Sequence, residues 1–391
     1  MAIWKSVNGK RRTNNIQQNK NMESANNQNK PSTPHPTGRG TGEGHPLPIL
    51  AITMGDPAGI GPEIILKSLL LPETYEQCRP LVTGDAKVMQ WTAEKLGYDI
   101  KMRPIKQVSE ARFEQGVVDV IDLECIDMST FQPGVVQEQC GHAAFLSVIK
   151  AIELAMANEV DGTVTAPLNK EALHKAGHNF DGHTEIYAHY TGTKKYAMLL
   201  ADEFLRVIHV STHCSLREAC DRVKKDRVIE VTELIMDACR QFGIENPHIG
   251  IAGLNPHASE NGLFGWEEEK EIIPAVEEMR QRGWNVEGPV PPDSIFAKAR
   301  SGKFDGCVAM YHDQGHIAFK MCGFQWNKET GKMETAKGVN ITLGLPIIRV
   351  SVDHGTAFDV ALQGVAAPDA MLLSIDYATK MAIYRKENKT C

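Results

Sequence analysis

The stretch Pro48-Ile-Leu-Ala-Ile-Thr-Met-Gly-Asp-Pro-Ala-Gly-Ile-Gly-Pro-Glu63 decides the fold class. Residues 48–53 are an apolar run of strand length, and residues 55–61 are dense in glycine and proline. Pro62 then opens an apolar stretch reaching Leu70. Proline suits the first position of a helix, where the missing N–H would have no intrahelical partner. A strand, a tight loop and a helix N-terminus in succession begin a β-α-β unit. Backbone amides at such a junction can hold an anion. The spacing is neither Gly-x-Gly-x-x-Gly nor a P-loop, so a plain strand-to-helix turn is an equal reading.

Outward from this segment the alternation continues. Residues 81–84, 117–122 and 162–166 read as short buried strands, and 142–158 as an amphipathic helix. Residues 226–242 and 267–282 read as helices with Gly243 and Gly283 as their stops. Such alternation predicts an α/β fold, a mostly parallel sheet covered on both faces. The polar residues 323–337 read as a surface loop between Lys320 and the segment 338–349.

The chain's 391 residues allow one large or two moderate domains. Its 42% hydrophobic and 23% charged residues are ordinary for a globular enzyme. A net charge of −7, with no basic cluster interleaved with aromatics, argues against a nucleic-acid partner. No apolar run reaches the roughly 18–20 residues that span a bilayer, so no membrane partner is expected. Nine cysteines without a Cys-x-x-Cys pair fit a reducing, cytoplasmic location. Residues 1–46 are rich in Asn, Gln, Lys, Gly and Pro and read as a disordered tail, or as sequence ahead of a start at Met22.

Three apolar stretches each run into a histidine: residues 204–210 lead to His213, 249–254 to His257, and 307–310 to His312. In open α/β sheets, ligands collect outside the carboxyl ends of the strands. Three imidazoles delivered there make the donor set of a catalytic divalent metal with one position left open. A lone histidine is more often an ordinary surface or core residue; three at successive strand ends shift the balance. His316 follows His312 at a spacing that suits a metal pair on a helix. After a strand it reads instead as a neighbour or substrate contact.

Gly182-His-Thr-Glu185 offers His183 and Thr184 to an acidic substrate, with Thr184 or Asp181 as a plain helix cap in the alternative. Arg349 lies among aliphatic residues, so its guanidinium requires an internal acid or an anionic ligand, and Lys320 could add a point charge.

Together, Gly55-Asp-Pro-Ala-Gly-Ile-Gly-Pro-Glu63, Gly182-His-Thr-Glu185, Thr212-His213, Gly253-Leu-Asn-Pro-His257, Tyr311-His-Asp-Gln-Gly315, Gly338-Val-Asn-Ile-Thr-Leu-Gly-Leu-Pro346 and Ser351-Val-Asp-His-Gly-Thr-Ala357 resemble the 4-hydroxythreonine-4-phosphate dehydrogenase family of vitamin B6 biosynthesis. The resemblance implies an α/β fold like that of isocitrate and isopropylmalate dehydrogenases. Two domains would flank an active-site cleft, the first from residues 47–165 and 338–391, the second from 166–337. It also implies a homodimer with a shared active site. His213, His257 and His312 fall on the family's metal ligands, and His183, Thr184, Lys320, Asn340 and Arg349 on its substrate-binding positions. Asp353, His354, Gly355, Thr356 and Ala357 match the cofactor loop of the wider fold.

The implied reaction is NAD- or NADP-dependent oxidation of 4-phosphooxy-L-threonine, with decarboxylation to 3-amino-2-oxopropyl phosphate. One divalent metal per site is expected, zinc first, with cobalt, nickel, manganese or magnesium as alternatives. The metal would steady the developing alkoxide, while His183 and Asp313 are the candidates for proton transfer. Two features depart from the biosynthetic pattern: the long insertion before Asn340, and His316, where those enzymes usually carry leucine. With Phe358-Asp359, His316 looks more like the sister branch acting on 4-phospho-D-threonate and 4-phospho-D-erythronate. A metal hydrolase would turn over without nicotinamide. A phosphate acyltransferase would not need three histidines, and a metal-dependent binding protein would turn over nothing.

Overall fold

The computed structural model describes residues 46–389, apart from 324, 329–331 and 335–337. Except for Pro46, the tail expected over residues 1–46 lies outside the described residues. The quoted stretch folds as read. Strand β1 (Ile49–Thr53) is buried at all but its first residue, and a loop leads to helix α1 (Gly61–Leu70), with Pro62 in its first turn. Glu63 on α1 is buried. It pairs with Lys67 at 2.9 Å and accepts the Ala366 N–H at 2.9 Å, tying α1 to the distant C-terminal segment.

The further strands are β2 (Arg79–Gly84), β3 (Lys101–Ile105), β4 (Val117–Asp122), β5 (Gly162–Thr165), β6 (Ala197–Ala201) and β7 (Arg206–His209). β8 (Ile249–Ala252), β9 (Val286–Val290), β10 (Gly306–Ala309), β11 (Val339–Leu343) and β12 (Arg349–Val352) complete one 12-stranded sheet. Its order is β3-β4-β2-β1-β5-β12-β11-β6-β7-β10-β8-β9. Every strand on one side of the β11–β6 pair comes from residues 47–165 or 338–391, and every strand on the other from 166–337. Contacts gather Leu47–Cys391 into one compact unit.

Most pairs are parallel, as the β-α alternation requires. The exceptions are β12–β11, β11–β6 and β6–β7, all antiparallel. Three reversals in succession leave β7, β10, β8 and β9 running opposite to β1, β5 and β12. The carboxyl ends of β7, β8 and β10 therefore share an edge with the amino end of β12, where Arg349 stands. The loop after β1 and the 353–357 turn after β12 occupy the other edge.

The helices that matter for the site are α2 (Glu138–Met156), α3 (His183–Tyr190), α4 (Lys225–Gln241), α5 (His312–Gly323) and α6 (Asp369–Lys389). Among the described residues none is long and apolar enough to cross a membrane, and the cysteines are unpaired.

Several expectations are corrected. The stretch after β10 is a helix from His312 onward rather than a loop. The expected surface loop 323–337 includes the end of α5 and a two-stranded hairpin, Gln325–Asn327 with Lys332–Glu334; polar composition does not bar strand pairing, which uses backbone groups. The helix read over 267–282 opens as a π turn (Glu268–Ile272) before the α-helix Ile273–Gln281. Pro274 has no N–H to give an α-type bond, and the wider turn accommodates it. Neither Thr184 nor Asp181 caps α3, whose N-cap is Gly182.

Candidate active site

Arg349 is 2% exposed. Its guanidinium donates to Thr342 Oγ1 at 2.9 Å, Thr165 Oγ1 at 3.1 Å and Asn340 Oδ1 at 3.4 Å. All three acceptors are neutral, and Nε is buried without a partner. Burial pushes the group down to about 10. A buried cation held by neutral oxygens, with an N–H to spare, has the chemistry to receive an anion, because a charge out of water costs several kcal/mol unless it is paired.

The neighbours complete the cradle. His183 opens α3, and its buried Nε2 has no partner. Burial and the Arg349 charge hold this imidazole well below its ordinary range, so it is neutral. Thr184 Oγ1 lies 3.4 Å from Thr342 Oγ1. Asn340 donates from Nδ2 to Met198 Sδ at 2.7 Å, and the Met198 carbonyl accepts Nδ1–H of His209 at 3.2 Å.

Two of the three strand-end histidines meet. β7 and β10 are neighbours, and the rings of His213 and His312 stand 6.0 Å apart. Nδ1 of His213 lies 3.4 Å from Glu185 Oε1, and Nδ1 of His312 lies 2.7 Å from Asp313 Oδ1. The Glu185 hydrogen bond raises the basicity of His213. A carboxylate on Nδ1 leaves Nε2 free, which is the arrangement of a metal-ligating imidazole. His213 borders a cleft of about 430 Å³ shared with Thr184, Glu185, Met198 and His209. It also borders a second cavity of about 290 Å³ shared with Tyr311, His312 and Asp313.

His257 stands apart. β8 lies one strand beyond β10, and His257 sits in the turn Pro256–Glu260 at φ 53, its ring 6.4 Å from Phe264. Among the described residues no three His, Cys, Asp or Glu side chains gather closely enough to hold a metal. One chain thus supplies His213 and His312 as a pair with the chemistry of metal donors.

Lys320 does not join Arg349. From α5 its ammonium bonds the Asp353 carboxylate and, at 3.0 Å, the Asp353 carbonyl. It therefore braces the 353–357 turn. That turn meets the glycine-rich loop: Ile60 N–H donates to Thr356 O at 3.0 Å, and a Cβ on Gly59 would lie 2.7 Å from the same oxygen. His354 donates Nδ1–H to Gly355 O at 3.0 Å, and Ala357 adopts φ 43. Asp313 is 70% exposed and bonds its neighbour His312.

The sequence reading passed over Glu185, Thr165, Thr342, Met198 and His209. Glu185 alone left a signal, one residue beyond Thr184. In the glycine-rich loop, Asp56 is fully buried: Oδ1 accepts Ala58 N–H at 2.9 Å, Oδ2 has no partner, and burial pushes the carboxyl up to about 7. His209 and His316 are driven by burial down to about 3 and about 4, so both rings are neutral.

The profile of the family described as pyridoxal phosphate biosynthetic protein PdxA matches residues 76–378. The chain is 47% identical to a D-threonate 4-phosphate dehydrogenase of Pectobacterium atrosepticum, over 85% of this chain and 99% of that protein. It is 46% identical to the D-threonate 4-phosphate dehydrogenase of Cupriavidus necator, over 87% and 98%. A solved 4-hydroxythreonine-4-phosphate dehydrogenase from Burkholderia phymatum superposes with a TM-score of 0.72 at 45% identity, covering 86% of this chain and 99% of that one.

Proposed function

The chain belongs to the PdxA family of dehydrogenases, and from that premise we propose that it oxidises D-threonate 4-phosphate, or its erythronate epimer, with NAD or NADP and one divalent metal. The observation that carries the reading is Arg349, a buried guanidinium with neutral partners and a spare N–H, set beside a neutral His183. The names of the relatives at 46–47% identity favour the aldonate over the amino acid.

In this reading Arg349, with Thr184 and Asn340, grips the phosphate or carboxylate end, so that binding energy far from the reacting carbon aligns it. The turn 353–357, seated on the glycine-rich loop and braced by Lys320, receives the cofactor. A bound nicotinamide would supply the acceptor for the hydride of the substrate's secondary alcohol, and His183, or a route by way of Asp313, would take the hydroxyl proton. The product is a β-keto acid, which loses carbon dioxide to leave a three-carbon hydroxyketone phosphate. His213 and His312 would hold the metal, which when bound supplies a Lewis acid for the oxygen that becomes negative in both steps. His257 would complete the donor set in a homodimer with a shared active site, which would account for the lack of a three-donor cluster among the described residues of one chain.

A second reading, 4-phosphooxy-L-threonine as substrate, is favoured by the family's description and by the Burkholderia phymatum structure. Cofactor reduction followed at 340 nm with each substrate in parallel separates the two. Turnover of D-threonate 4-phosphate is expected; turnover of the amino acid alone would move the enzyme to the biosynthetic branch. Silence with both would remove the dehydrogenase reading.

A further inference from the structure

We propose that His316 is a positioning residue for His312: a face-to-face ring stack, backed from the interior by His209, fixes the plane of the His312 imidazole. The proposal rests on the reading of His312 as a metal-holding residue.

Because α5 begins at His312, His316 lies one turn on and on the same face. The two rings are 3.6 Å apart between centroids and 12° from parallel. Nδ1–H of His316 donates to the His312 carbonyl at 3.0 Å, which locks the upper ring to the helix. Behind it, His209 is 1% exposed and anchored to the Met198 carbonyl, with its ring 4.7 Å from His316 and 6.4 Å from His312. Gly315 lets the helix press this close, since a Cβ there would collide with the His209 ring.

The stack supplies what the Asp313 contact cannot. The Nδ1 contact runs to the carboxylate of the adjacent Asp313, a side chain 70% exposed and able to move with the ring it bonds. A flat ring on one face fixes the plane, so Nε2 keeps a single aim. An aliphatic side chain at 316 would fill the space without defining a plane. The buried, unpartnered Nε2 of His209 is a cost that packing alone would avoid by using leucine.

The test uses the full chain stripped of metal, then titrated with cobalt(II) and followed by its visible absorption, for wild type, His316→Ala, His316→Phe and His312→Ala. His316→Ala should weaken cobalt binding about tenfold, the lower end for loss of a group supporting a ligand, and alter the band shape. His316→Phe keeps a flat ring and should restore both. In the metal-free protein the His312 ring protons should be shifted upfield by the stack. That shift should vanish in His316→Ala and persist in His316→Phe. Wild-type affinity in His316→Ala, or a phenylalanine variant as weak as the alanine one, overturns the proposal. Undiminished cobalt binding in His312→Ala would instead bring down the metal reading on which it rests.

Discussion

Arg349 sets function against stability at one residue. A buried cation whose hydrogen bonds go to neutral oxygens, with the Glu185 charge acting only through space, is a poor stabiliser, and replacing such a group by an apolar one of similar volume is often neutral or stabilising. Arg349→Met should therefore lower kcat/KM for the phosphorylated substrate at least about a hundredfold, as expected for loss of several charge-assisted hydrogen bonds. Its thermal midpoint should hold or rise. A variant both inactive and unfolded would mean that the guanidinium is structural. Asp56 offers a pH test. Its folded-state value of about 7 lies above the ordinary 3.8, so the fold prefers the proton. The associated stability is full below pH 3.8 and is lost as pH rises through 7, about 4 kcal/mol at most. Asp56→Asn should therefore gain on wild type between about pH 4 and 7 in urea unfolding and run parallel to it above about pH 8; parallel stabilities between about pH 4 and 7 would sink the idea. His213, His312 and Arg349 were readable because strand ends and an apolar neighbourhood mark them. Thr342, Thr165 and His209 were not, because strand register alone brings them to Arg349 and His316.

At the scale of elements, the β1 loop and α1 were legible from proline and glycine placement, whereas α5 was not. Its opening, His312-Asp-Gln-Gly315, has no capping box and a glycine where a helix wants alanine. The helix exists because its buried face, with Phe319 and Gly315, packs on the sheet. Gly315→Ala should improve helix propensity by roughly 1 kcal/mol yet destabilise the protein by about 1–3 kcal/mol, because overpacking against His209 wins. Denaturant unfolding of the variant reads the sign directly. At the opposite edge, Gly59→Ala would push the glycine-rich loop off Thr356. Its KM for NAD should rise severalfold with little change in kcat, and an unchanged KM would detach that turn from cofactor binding.

Across the whole molecule, one core cluster joins Leu50 and Ile52 on β1 to Ile208, Ile251 and Val308 beyond the β11–β6 pair. Residues 47–391 should thus unfold in a single calorimetric transition, and two resolved peaks would show the halves to be independent. The sheet order itself was beyond the sequence, since nothing local announces that β11 and β12 insert between β5 and β6. The three reversals there send the histidines and the 353–357 turn to opposite edges, yet α5 carries both His312 and the lysine that grips Asp353. Eight residues of helix are about 12 Å of rigid rod, and each residue turns it by about 100°. The helix is a caliper between the two edges. One residue inserted between His312 and Lys320 would leave every named side chain in the protein and still turn Lys320 away from Asp353, so the spacing in this segment is constrained as tightly as its residues.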